Sequence, residues 1–97
     1  MDSRPPEPIE IATYYVVSEA LTNAAKHARA SSVRVVVTAS PSTLRTRIED
    51  DGVGGAEVGA GTGLLGLIDR VEALGGQLAV DSPRGKGTRI AIELPLP

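Results

Sequence analysis

The chain has 97 residues, 41% of them apolar and 23% charged, and a net charge of −2. That is one soluble globular domain, too short for a second core, and its slightly acidic balance excludes a general nucleic-acid or membrane-surface binder. The absence of cysteine excludes disulfides and thiolate metal sites, and a single histidine excludes a histidine-rich one.

No stretch nears the roughly 20 apolar residues of a membrane span, and no signal-peptide pattern opens the chain. The expected location is the cytoplasm, which is compatible with a parent protein anchored in a membrane. With two Tyr and no Phe or Trp, the core has to be aliphatic.

Residues 1–8 hold three prolines and read as a linker, leaving 9–97 as the folded domain. From residue 9 to about 28, Ile11, Ala12, Tyr15, Val16, Ala20, Leu21, Ala24 and Ala28 recur at helical steps and predict a long helix with a broad apolar face. After Ser31-Ser32, the β-branched run 33–38 predicts a strand. Leu44, Thr46 and Ile48 then alternate with Arg45, Arg47 and Glu49, the pattern of a half-exposed antiparallel strand. Residues 51–63 include six glycines and no apolar period, which predicts a loop. Leu64, Leu67, Ile68, Val71 and Leu74 share one face of a second helix that Gly75-Gly76 stops. Two strands, 77–81 and 88–94, follow around a Pro83-Arg84-Gly85 turn. Helix, two strands, helix, two strands is an α+β order. It predicts a two-layer α/β sandwich, with both helices on one face of a mostly antiparallel mixed sheet and Arg45, Arg47, Arg89 and Glu93 on the other.

Four-residue steps put Glu19, Asn23 and His27 on one band of the first helix, each about 40° from the last. An amide oxygen is a hard ligand suited to Mg²⁺, and a carboxylate one turn away can accept a proton. A solvated helix face, with Lys26 and His27 favouring the C-terminal turn, explains the same residues. Strand parity is more informative: Asp50 continues the series of Leu44, Thr46 and Ile48, so its carboxylate points towards the core and needs donors. A turn start, or satisfaction by loop amides, would also account for it. Asp51, of opposite parity, is free to face the solvent. Thr88 shares parity with Ile90, Ile92 and Leu94, so its hydroxyl faces the same layer, although β propensity alone would also place a Thr there.

Gly61, Gly63 and Gly66 satisfy G-x-G-x-x-G literally, and Asp81 lies twenty residues after Gly61. A dinucleotide fingerprint must follow directly on a parallel strand, however, and the glycine-rich stretch before Gly61 cannot supply one. The alternative is a lid that ends at a helix N-terminus, where free N–H groups attract phosphate.

The pieces Glu19-Ala20-Leu21-Thr22-Asn23-Ala24-Ala25-Lys26-His27, Asp50-Asp51-Gly52-Val53-Gly54, Gly61-Thr62-Gly63-Leu64 and Gly85-Lys86-Gly87-Thr88 resemble, in this order, the nucleotide-binding domain of sensor histidine kinases. That domain belongs to the gyrase, Hsp90, histidine kinase and MutL superfamily. The run 65–76 looks like the subgroup that pairs with LuxR-type response regulators. The resemblance implies a Bergerat-type ATP-binding fold that binds ATP and Mg²⁺, and a role as the catalytic fragment of an ATP-dependent protein-histidine phosphotransferase. It implies that Asn23 holds magnesium, Glu19 is the base, and Lys26 and His27 contact phosphates. It also implies that Asp50 reads adenine beside Gly52, Gly54 and Thr88, and that Gly61, Thr62, Gly63 and Leu64 form the second glycine box. The expected partners are a dimerisation hairpin carrying the phosphoacceptor histidine, which does not fit in this chain, and indirectly a LuxR-type regulator. Neither nucleic acid nor direct membrane contact is expected. A serine kinase of the anti-sigma-factor kind, or a non-catalytic interaction module of the same fold, are the competing expectations.

Overall fold

A computed structural model describes residues 6–26, 30–53, 64–83 and 85–97. The elements are α1 (Glu7–Lys26), β1 (Val33–Ala39), β2 (Thr43–Asp50), α2 (Leu64–Ala73), β3 (Gln77–Asp81) and β4 (Thr88–Pro95). The helix α1 starts earlier than its apolar period suggests. Pro8 falls in its first turn, where a missing N–H removes no helical hydrogen bond, so the proline initiates the helix and does not delay it.

The strands form one sheet in the order β1-β2-β4-β3, and both helices pack on it. Every pairing is antiparallel, so the sheet is not mixed among the described residues. Alternation decides the faces. Leu44, Thr46 and Ile48 from β2, and Ile90, Ile92 and Leu94 from β4, are buried against Ile9, Ala12, Val16 and Ala20 of α1 and Leu67 and Val71 of α2. Arg45, Arg47, Arg89 and Glu93 lie on the open face, as parity requires. There Arg45 pairs with Glu93 at 3.4 Å, and Glu49 bridges Arg47 at 3.6 Å and Arg89 at 3.2 Å.

The apolar face of α1 is narrower than the sequence suggests. Ile11, Tyr15 and Leu21 are exposed. Ile11 and Leu21 stand about 140° round the helix from Val16, beyond what a single sheet can cover. Tyr15 instead lies beneath the guanidinium of Arg70, 4.6 Å from its ring centre, a cation–π contact that ties α1 to α2.

The stop of α2 follows from its two glycines. Gly75 has φ of 82°. Its N–H donates to the Glu72 carbonyl at 2.9 Å, while the Gly76 N–H reaches back to Val71 at 3.0 Å, the bond pair of a Schellman cap. A Cβ on Gly76 would collide with the Glu93 carbonyl and lie 2.8 Å from Leu94 Cδ2, so this glycine also lets the helix end close on β4.

One core group is uncompensated. Thr46 is 1% exposed and its Oγ1 has no hydrogen-bond partner among the described residues. A buried hydroxyl without a partner costs stability that an apolar isostere recovers. Thr46→Val should therefore raise unfolding stability by about 1 kcal/mol in urea titration; a loss of stability would show that the hydroxyl has a partner after all.

Candidate functional site

Two of the sequence pieces become one unit at the end of the sheet. The last residue of β2, Asp50, stands directly opposite Thr88, the first residue of β4. The turn before Thr88 closes over Asp50 because Gly87 adopts φ of 78°, and a Cβ there would overlap the Asp50 carbonyl. Only glycine permits that approach. Gly85, at φ of 80°, donates its N–H to the Val53 carbonyl at 2.6 Å, tying the turn to the segment after β2.

Asp50 is half-buried, and the Gly52 N–H donates to its Oδ1 at 2.8 Å. This is the local turn that loop amides offer an aspartate, so part of the carboxylate is satisfied internally. Its second oxygen has no hydrogen-bond or ionic partner among the described residues, and the neighbouring Arg89 is taken by Glu49. A carboxylate oxygen accepts up to two hydrogen bonds, so Asp50 keeps accepting capacity on the face it shares with the core.

Thr88 is half-buried beside it, its Oγ1 2.7 Å from Ser82 Oγ. Ser82 was missed in the sequence, yet a signal existed. The register that pairs Asp81 with Arg89 extends by one step to put Ser82 opposite Thr88. Asp50, Thr88 and Ser82 thus form a polar row across the neighbouring ends of β2, β4 and β3, on the face that carries Ile48, Ile90 and Val80.

Asp51 is exposed, as its parity expects, and its carboxylate is engaged. Its Oδ2 accepts the Ser31 hydroxyl at 2.5 Å, and Oδ1 accepts the backbone N–H groups of Ser31 at 2.8 Å and Ser32 at 3.0 Å. The Ser31 hydroxyl, followed by the Ser32 N–H, holds the carboxyl at about 2, below its ordinary 3.8. The expected solvent-facing residue is therefore a clasp between the entry to β1 and the exit of β2. Parity predicts which way a side chain points, but not that the chain's return from α1 brings three donors there.

On α1, Glu19 and Asn23 are half-buried, flanking the buried row of Val16, Ala20 and Ala24. Lys26 ends the helix, and Leu64 begins α2; the side chains of both, and His27, Gly54, Gly61, Thr62 and Gly63 entirely, lie outside the described residues. Gly66 decides against a dinucleotide fingerprint. The third glycine of that motif exists for close helix–strand packing, whereas a Cβ on Gly66 would meet nothing within 4 Å. The strand before it, β2, is antiparallel to both neighbours. A cleft of about 350 Å³ at this end of the sheet is lined by Asp50, Thr88, Gly87 and Lys86. It also touches Glu49 and Arg89 of the open face, so it wraps the sheet end and is not the inter-layer space that Asp50 faces.

Because Asp51 is depressed in the folded chain, its stabilising contribution is complete above about pH 4 and is lost as pH falls through about 2. Thermal melts between pH 5 and pH 2 should show this slope flattened in Asp51→Asn; an unchanged slope would remove the clasp. Gly87→Ala should cost at least about 2 kcal/mol, combining backbone strain with the clash on Asp50; a variant as stable as the parent in the same melts would contradict the close approach.

Comparison with known proteins gives the family of this fold. The model of the histidine kinase-, DNA gyrase B- and HSP90-like ATPase family matches residues 9–97. The DegS histidine-protein kinase/phosphatase of Brevibacillus brevis is 40% identical over 94 residues, covering 94% of this chain and 24% of the relative. The oxygen sensor histidine kinase NreB of Staphylococcus carnosus is 35% identical, covering 91% and 26%. The chain thus spans about a quarter of the length of these relatives. Among solved structures, the histidine kinase domain of Erythrobacter litoralis EL346 superposes with a TM-score of 0.70 at 31% identity, over 88% of this chain and 43% of that one. The ATP-binding domain of PrrB from Mycobacterium tuberculosis gives 0.74 at 25% identity, over 90% and 68%. The chain therefore belongs to the histidine kinase-, DNA gyrase B- and HSP90-like ATPase family, as an ATP-binding catalytic domain of the sensor histidine kinase type.

Proposed function

We propose that this domain binds Mg-ATP between α1, residues 54–63 and the polar end of the sheet. From there it passes the γ-phosphoryl group to a histidine on a separate dimerisation hairpin, which in turn supplies a LuxR-type response regulator in the cytoplasm. The observation that carries this reading is the Asp50 oxygen beside Thr88 that has no partner among the described residues. A half-buried carboxylate with spare accepting capacity matches the exocyclic amine of adenine, which donates where guanine presents an acceptor. Thr88, oriented by Ser82, borders the ring. Its hydroxyl can serve as donor or acceptor, because either oxygen of that pair can donate.

The magnesium assignment rests on donor chemistry. Among the described residues no group of three His, Cys, Asp or Glu side chains could hold a metal. That suits an ion held by one amide oxygen, from Asn23, with the triphosphate and water supplying the rest. When bound, the ion neutralises charge on the β- and γ-phosphates. The chain's own work is positioning. Asp50 and Thr88 fix the base, Lys26, His27 and the amides of 61–64 fix the phosphates, and Glu19 orients the acceptor imidazole or takes its proton. The named relatives, both histidine kinases, favour this over a serine kinase of the anti-sigma kind.

Calorimetric titration with ATP tests the site. Removing a hydrogen bond to a charged group costs about 1.5–3 kcal/mol, so Asp50→Asn should bind roughly tenfold to a hundredfold more weakly. Asn23→Ala should weaken binding only when magnesium is present. Unchanged affinity in both variants would remove the site. Glu19→Gln should leave nucleotide affinity intact and slow transfer to a hairpin supplied in trans by about 10²–10⁴; full-rate transfer would take Glu19 out of the mechanism.

A further inference from the structure

The connection from β3 to β4 is closed at its base by a pair of hydroxyls. Ser82 follows the last residue of β3, Thr88 begins β4, and their side-chain oxygens are 2.7 Å apart. Both residues are half-buried. The turn beyond them has bonds of its own, from Lys86 N–H to the Pro83 carbonyl at 3.1 Å and from Gly85 N–H to Val53. A cross-strand hydroxyl pair can serve simply as a staple. Its place in the row with Asp50 gives it a second use.

The row runs Asp50, Thr88, Ser82 across β2, β4 and β3, with neighbouring strands about 4.8 Å apart. Asp50 Oδ1 takes the Gly52 N–H, and among the described residues no hydrogen bond joins Asp50 to Thr88. The Thr88 hydroxyl therefore has one side-chain partner there, Ser82, and two ways of meeting it. If Thr88 donates to Ser82, it offers a ligand only lone pairs. If Ser82 donates to Thr88, the Thr88 proton is left for the ligand.

The pairing edge of adenine sets an amine donor next to a ring acceptor, N1. A carboxylate can only accept, so Asp50 suits the amine and cannot serve N1. The next group in the row must then supply a proton. Thr88 does so only in the arrangement where Ser82 donates to it. A hydroxyl that accepts one hydrogen bond also becomes a stronger donor in the next, so the series from Ser82 through Thr88 to a ring nitrogen reinforces itself.

We infer that Ser82 is a positioning residue for nucleotide recognition: its hydroxyl donates to Thr88 and thereby commits Thr88 to donate towards N1 of adenine, directly or across one water. This rests on the reading that Asp50 and Thr88 face the base. Ser82 need not touch the nucleotide itself. It makes the row complementary to purines with a bare N1, and unfavourable to those, such as guanine and hypoxanthine, that carry a hydrogen there.

Calorimetric titration of the chain with ATP and with its 1-deaza analogue, in which C–H replaces N1, separates this role from a staple. Ser82→Ala should bind ATP about three- to tenfold more weakly than the parent. The same variant should bind the analogue as the parent does, because the directed proton has no acceptor there. Ser82→Thr, which keeps the hydroxyl, should restore ATP affinity. Equal losses for ATP and the analogue would reduce the pair to a staple and overturn the inference. So would parental ATP affinity in Ser82→Ala when Thr88→Val binds ATP more weakly. ATP affinity that Thr88→Val leaves unchanged would instead remove the reading of the base itself, and the role of Ser82 with it.

Discussion

The structure depends on the antiparallel register that ends β2 on Asp50 and begins β4 on Thr88. Without that pairing the two glycine-rich pieces would be unrelated loops. With it, they meet at one end of the sheet. The contact is close enough that Gly87 is required sterically, since its φ of 78° and its lack of Cβ let the turn lie on the Asp50 carbonyl. The Gly85–Val53 hydrogen bond then holds the turn against the segment that follows β2. The sheet core beneath is aliphatic and well buried, so packing holds the register that places this end, a preorganisation of the kind base recognition uses.

The adjacent aspartates divide the work by parity. Asp51 is spent on structure. Three donors from Ser31 and Ser32 fix the entry to β1 and keep the carboxylate ionised well into acid. Asp50 gives one oxygen to Gly52 and retains the other. One residue stabilises the local backbone, and its neighbour presents an acceptor to the interior. The pairing of Glu49 with Arg47 and Arg89 matters here too, because it keeps the nearby guanidiniums on the open face, away from Asp50.

Much of this was legible in the sequence, for a physical reason. Period-two alternation in 44–50 and 88–94 fixes the side of each residue. The inward direction of Asp50 and Thr88 therefore followed from Ile48 and Ile90 without coordinates. What periodicity does not carry is who the partners are. The hydroxyl of Ser82 beside Thr88, the clasp of Asp51 on Ser31, and the Arg70–Tyr15 contact all join segments through tertiary register or helix packing. The width of the α1 core face was overestimated for a related reason: a list of apolar residues at helical spacing does not say how much of the helix one sheet can cover. The magnesium and phosphate roles rest on resemblance and chemistry, because several of their residues are in 54–63 and 27–29.

The claim that the free oxygen of Asp50 reads the amino group of adenine is tested most directly by a double comparison. Titration calorimetry would pair ATP with purine riboside triphosphate, which lacks that amine, on the parent chain and on an Asp50→Ala variant. The account predicts that deleting the amine weakens binding to the parent by about tenfold or more and has little effect on the variant, since each change removes the same bond. Equal losses in the two proteins, or no loss in the parent, would contradict it.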